Sequence, residues 1–142
     1  MHYNVLLRDV LFKSKIDGPW AGVDAGLRGL QKAGIKPVKA YGDFDSVTAS
    51  ELENFKKQLS FDIVPSVKDY TDSELALLEL AKSGAASIHV YGALGGRKDH
   101  ELMNIHLLKH EQLRNLDIRL INETNEITLL TAGHHTVKKD SA

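Results

Sequence analysis

With 142 residues, 18 basic and 19 acidic side chains and a formal net charge of −1, the chain has the size of one ordinary domain and can bury a sizeable core. That balance leaves no electrostatic footprint for nucleic acid or an anionic membrane surface, and the absence of cysteine excludes disulfides, thiolate catalysis and Cys-based zinc sites. Met1-His2-Tyr3-Asn4 lacks a signal-peptide pattern and no apolar run approaches membrane-spanning length, so the expectation is a soluble protein that fits a reducing cytoplasm.

Val5, Leu6 and Leu7 predict a first strand over 3–7, followed by a polar loop from Arg8 to Asp17 that contains Lys13-Ser14-Lys15. Trp20 to Asp24 predicts a second strand, with Asp24 at its end. A helix carrying Leu27, Leu30 and Ala33 on one face follows and stops at Gly34. Ile35, Val38, Ala40 and Tyr41 predict a third, buried strand that runs into Gly42-Asp43-Phe44-Asp45-Ser46.

This turn is the centre of the reading. Two carboxylates two residues apart at a strand's end, with Ser46 beside them, offer hard oxygen ligands of the kind that suit Mg²⁺. The alternative is that Asp43 and Asp45 make turn hydrogen bonds and cap the next helix. That helix is announced by the capping box Thr48-Ala49-Ser50-Glu51, with Leu52, Phe55 and Leu59 along one stripe.

Phe61 to Val64 predicts a further strand ended by Pro65, which has no N–H for a ladder. Lys68-Asp69-Tyr70-Thr71-Asp72 leads to a second capping box, Thr71 to Glu74, and a helix with Leu75, Leu78 and Ala81. The strand Ser87 to Tyr91 then enters Gly92-Ala93-Leu94-Gly95-Gly96-Arg97-Lys98-Asp99-His100, and a helix with Leu102, Ile105 and Leu108 on one face. Glycines that allow close backbone approach, a helix N-terminus and the planar fork of Arg97 together suit phosphate oxygens; the alternative is a plain tight turn. Ile118 to Asn122, a turn, and Glu126 to Leu130 complete the predicted strands, and the stretch to Ala142 looks cut in mid-domain.

Repeated strand-to-helix alternation predicts a mostly parallel α/β sheet with helices on both faces. Asp24, Asp43, Asp45, Asp69, Asp72 and Asp99 all fall just past strand ends, so a parallel sheet would gather them on one edge, where like charges call for cations. His100, His134 and His135 lack the spacing of a histidine metal site.

The stretches Gly22-Val23-Asp24-Ala25-Gly26, Gly42 to Ser46, Lys68 to Asp72 and Gly92 to His100, the last followed by Asn104, resemble in order those of thiamine pyrophosphokinase. The resemblance implies transfer of a pyrophosphoryl group from ATP to thiamine, with Mg²⁺ carried by Asp43, Asp45 and Asp72, and with Arg97 and Asp99 meeting the ATP phosphates or the metal. Within the same stretches it implies nucleotide contacts from Asp24, Gly26, Ser46, Lys68, Asp69, Thr71, Gly95, Gly96, Arg97, His100 and Asn104. It further implies a homodimer with shared sites, an α/β catalytic domain over residues 1–125, and the opening of a thiamine-binding β-sandwich over 126–142. Two rival expectations are an ATP- and Mg²⁺-binding dimerisation fragment without activity, and a haloacid-dehalogenase-like phosphatase with Asp43 as nucleophile.

Overall fold

A computed structural model of the chain describes residues 1–10, 16–45 and 47–139. The expected Lys13-Ser14-Lys15 loop and the assignment of Ser46 lie outside the described residues. Ten elements follow one another: β1 (His2–Leu6), β2 (Trp20–Val23), α1 (Gly26–Lys32), β3 (Lys39–Tyr41), α2 (Ala49–Gln58), α3 (Asp72–Lys82), β4 (Ser87–Tyr91), α4 (Lys98–Leu107), β5 (Asp117–Ile121) and β6 (Glu126–Ile127). They build one sheet in the order β3-β2-β1-β4-β5-β6, in which the first five strands are parallel and β6 runs antiparallel to β5.

The alternating side chains of each strand explain why this sheet is covered twice. Val5, Val23, Tyr41, Ile88, Val90, Ile118 and Leu120 point to one face and pack on Leu75, Leu77, Leu78 and Leu80 of α3. Leu6, Trp20 and Ala40 point to the other, where Leu27 and Leu30 of α1 and Phe55 of α2 meet them. Each such burial stabilises the fold by about 1.5–3 kcal/mol, so the expected helices on both faces follow from strand periodicity. Gly26 opens α1 pressed against β1: a Cβ there would stand 2.0 Å from the Leu6 carbonyl oxygen. Gly26 is thus a packing residue at the foot of the helix.

The structure departs from the expected elements in three places. The strand expected over 61–64 is a single bridge, Val64 to Tyr41, because Pro65 cannot extend the ladder. The strand expected over 126–130 stops at Ile127 and joins the α/β sheet; the Thr128 hydroxyl, not a backbone group, donates to the Ile118 carbonyl at 2.8 Å. On α4, Ile105 and Leu108 pack on the core but Leu102 is 56% exposed. Two steps of three residues rotate a helix by about 120° away from a common face, which carries Leu102 outward.

The capping boxes differ as well. Thr48 and Glu51 form both arms at the start of α2, at 3.2 and 3.4 Å. At α3 the Thr71 hydroxyl accepts from the Glu74 N–H at 3.1 Å, while the Glu74 carboxylate faces His110 at 3.5 Å. A tertiary partner takes the place of the local one. No helix of the described residues is long and apolar enough to cross a membrane.

Candidate functional site

The strand order reverses between β1 and β4. In an open parallel sheet the two loops leaving the carboxyl ends at such a point diverge to opposite faces and open a crevice between them. A pocket of about 440 Å³ lies there, and its lining includes Asp24, Thr71, Asp72, Gly95, Gly96, Arg97, His100 and Asn104 from the expected set, together with Arg8.

Asp24 is the hinge of the acidic wall. It sits one residue past β2 in the left-handed region, φ 47°, and its Oδ1 accepts the Phe44 N–H at 3.0 Å. Phe44, itself at φ 59°, turns its ring into the core beside Phe55 at 6.3 Å, which leaves Asp43 and Asp45 exposed on either side. The apolar residue between the two acids thus anchors the turn. Gly42 permits it: φ is +115° and a Cβ would lie 2.3 Å from Asp24 Oδ1.

Ser66 links this turn to α3. Its N–H donates to Asp43 Oδ1 at 3.2 Å and its hydroxyl donates to Asp72 Oδ1 at 2.5 Å. Asp72 in turn touches Asp24. Asp24 past β2, Asp43 and Asp45 past β3, and Asp72 at the start of α3 are thereby brought close together. Burial is the largest influence on Asp24, followed by its hydrogen bond with Asp72 and the charges of Asp72 and Asp45; together they overcome the Phe44 N–H and raise its pKa from 3.8 to about 7.

The opposite wall is basic and internally paired. Arg97 presents its fork to Asp99, with Nε and Nη2 donating at 3.1 and 2.6 Å, and this partner holds the Asp99 carboxyl below its ordinary range. The Asn104 amide donates to the Ala93 carbonyl at 3.3 Å and steadies the loop. Gly95 N–H donates to the carboxylate of Glu101, which Lys98 also approaches at 3.1 Å. Lys68 and Asp69 are exposed and do not line the pocket, although Asp69 takes φ 77° in the turn before α3.

Three residues of the site escaped the sequence reading. Arg8 lies in the stretch expected as a polar loop, two residues past the end of β1, where the same junction logic that singles out the aspartates applies. Ser66 and Glu101 carry no local signal, because their partners are up to 23 residues away.

Among the described residues no three His, Asp or Glu side chains are arranged as a metal cage. The donor set still fits Mg²⁺, which takes one or two carboxylates and completes its shell with water and phosphate oxygens. Asp24, whose pKa is raised first by burial and then by its acidic neighbours, is a group whose charge a divalent cation would offset.

Fold and site define a class: an open, mainly parallel α/β domain with a crevice at its switch point, walled by acids on one side and cations on the other. Within that class, the family described as thiamin pyrophosphokinase, catalytic domain, matches residues 15–120. The thiamine pyrophosphokinase of Bacillus subtilis (strain 168) is 40% identical over 122 residues, which are 85% of this chain and 57% of that protein. The crystal structure of thiamin pyrophosphokinase from Geobacillus thermodenitrificans superposes with a TM-score of 0.84 at 33% identity, over 99% of this chain and 68% of that one. That of the Bacillus subtilis enzyme also gives 0.84, at 34% identity over 99% and 70%. The chain belongs to the thiamin pyrophosphokinase catalytic-domain family, and it spans 57% of the length of the curated relative it matches.

Proposed function

We propose that this chain carries the nucleotide- and metal-binding part of a thiamine pyrophosphokinase, which moves a pyrophosphoryl group from ATP to thiamine and releases AMP. The observation that carries the reading is a pocket with Asp24 and Asp72 on one wall and Arg8, Arg97 and His100 on the other, beside which Ser66 ties Asp43 to Asp72. An acidic wall opposite a cationic one accommodates a polyphosphate bridged to a divalent ion.

On this reading Asp43, Asp45 and Asp72 would hold Mg²⁺ with Asp24 beside them, and the ion would supply charge neutralisation at the phosphates. The chain's own residues do the rest. Ser66 orients Asp43 and Asp72 toward each other, Phe44 fixes the turn, and the Gly92–His100 loop shapes the phosphate end of the crevice. The proton that burial holds on Asp24 must leave before a cation can bind beside it, so binding strengthens as pH rises toward neutrality. Asp99, held ionised by Arg97, is a weak proton acceptor, and its part is to hold the fork in place.

The same reading takes residues 126–142 as the lead into a thiamine-binding β domain, the active protein as a cytoplasmic homodimer, and thiamine as bound partly by that second domain. AMP release from Mg-ATP is the test, with and without thiamine. Thiamine-dependent AMP and thiamine pyrophosphate support the transfer; tight Mg-ATP binding with neither product assigns the chain to nucleotide binding alone. A covalent aspartyl-phosphate trapped at Asp43 would point instead to a phosphatase.

A further inference from the structure

Leu7 N–H donates to the Tyr91 carbonyl at 2.9 Å, so the chain leaves β1 alongside the end of β4, and Arg8 is the first side chain past that contact. Its guanidinium reaches across the switch point: Nε donates to the Gly92 carbonyl and Nη2 to the Leu94 carbonyl, each at 2.8 Å. The loop closes around it. A Cβ on Gly96, where φ is +71°, would stand 2.9 Å from Nη1, and one on Gly95 would stand 3.3 Å from Nη2. The loop glycines admit a guanidinium.

This changes which group can meet an anion. The Gly95 N–H, which a free glycine-rich loop would turn toward a phosphate, is taken by the Glu101 carboxylate. The Arg97 fork is taken by Asp99. A guanidinium has five N–H donors, and Arg8 commits one Nε and one Nη2 hydrogen to the loop, which leaves three N–H groups on a side chain that lines the pocket.

We propose that Arg8 is a nucleotide-binding residue. Two of its N–H groups mould the Gly92–Gly96 loop and the others take a phosphate oxygen of the bound nucleotide, across the crevice from Asp24 and Asp72. The proposal rests on the nucleotide-transfer reading above. It selects for a polyphosphate chain, because the cation lies opposite the carboxylates and a ligand must span both.

The test is calorimetric binding of Mg-ATP, Mg-tripolyphosphate and adenosine to the full chain and to Arg8→Ala and Arg8→Lys. Loss of charge-assisted hydrogen bonds should weaken ATP and tripolyphosphate by roughly 10- to 100-fold in Arg8→Ala and leave adenosine unchanged. Arg8→Lys, which keeps the charge without the fork and guards against loss of folding in the alanine variant, should recover part of the phosphate-dependent affinity. Equal weakening of all three ligands, or a lower melting temperature with affinities intact, would overturn the assignment and leave Arg8 as a loop brace. Absence of ATP and tripolyphosphate binding by the unaltered chain would instead bring down the functional reading, and this proposal with it.

Discussion

Replacing Asp24 with Asn should make the protein more stable at neutral pH, although Asp24 lines the pocket. The ordinary carboxyl pKa of 3.8 is raised to about 7 in the fold, chiefly by burial and then by Asp72. Below about pH 4 the group is protonated whether the chain is folded or unfolded, and no difference arises. Between about 4 and 7 the unfolded chain ionises while the folded one keeps its proton, so stability falls as pH rises; above about 7 the full cost is present. At about 1.4 kcal/mol per pH unit this span corresponds to roughly 4 kcal/mol, which solvent screening of a half-buried group reduces to about 2 kcal/mol. Asn keeps the Oδ1 that accepts the Phe44 N–H and adds an amide donor toward Asp72, so the turn survives. Thermal denaturation of both proteins from pH 5 to 8 without divalent metal should show Asp24→Asn higher at pH 8 by about 6 °C, with a flatter pH dependence. Equal slopes, or a variant less stable at pH 8, would refute the idea that packed acids strain this rim.

Other perturbations test the neighbouring links. Asp45→Asn should leave folding intact and abolish Mg²⁺-dependent AMP release, as checked by circular dichroism beside the coupled assay. Gly42→Ala, which forces a Cβ at φ +115° to within 2.3 Å of Asp24 Oδ1, should cost about 1–3 kcal/mol in urea denaturation. Thr48→Ala removes one arm of the capping box on α2 and should cost about 1 kcal/mol by the same measurement. Leu30→Ala, at a fully buried position under the sheet, should cost about 2–5 kcal/mol and lower the denaturation midpoint without changing nucleotide affinity.

What was legible in the sequence is what short-range physics controls. The Thr48–Glu51 box, the left-handed turn at Gly42 and the strand Ser87–Tyr91 between a glycine stop and a glycine loop each depend on neighbours a few residues away. The aspartates at strand ends were legible for a related reason: parallel strands share one direction, so their carboxyl ends share one edge. The order of strands across the sheet was not, since β1 takes β2 on one edge and the distant β4 on the other through core packing rather than through local signals.

The chain's amino-acid order thus determined the elements, their polarity and the acids offered at the sheet's edge. Only the tertiary structure decided that Ser66 joins Asp43 to Asp72, that Arg8 reaches the Gly92 loop 84 residues on, and that Asp24 holds its proton to about pH 7. Each of these depends on water excluded and charges brought close by packing, a quantity that no stretch of sequence carries alone.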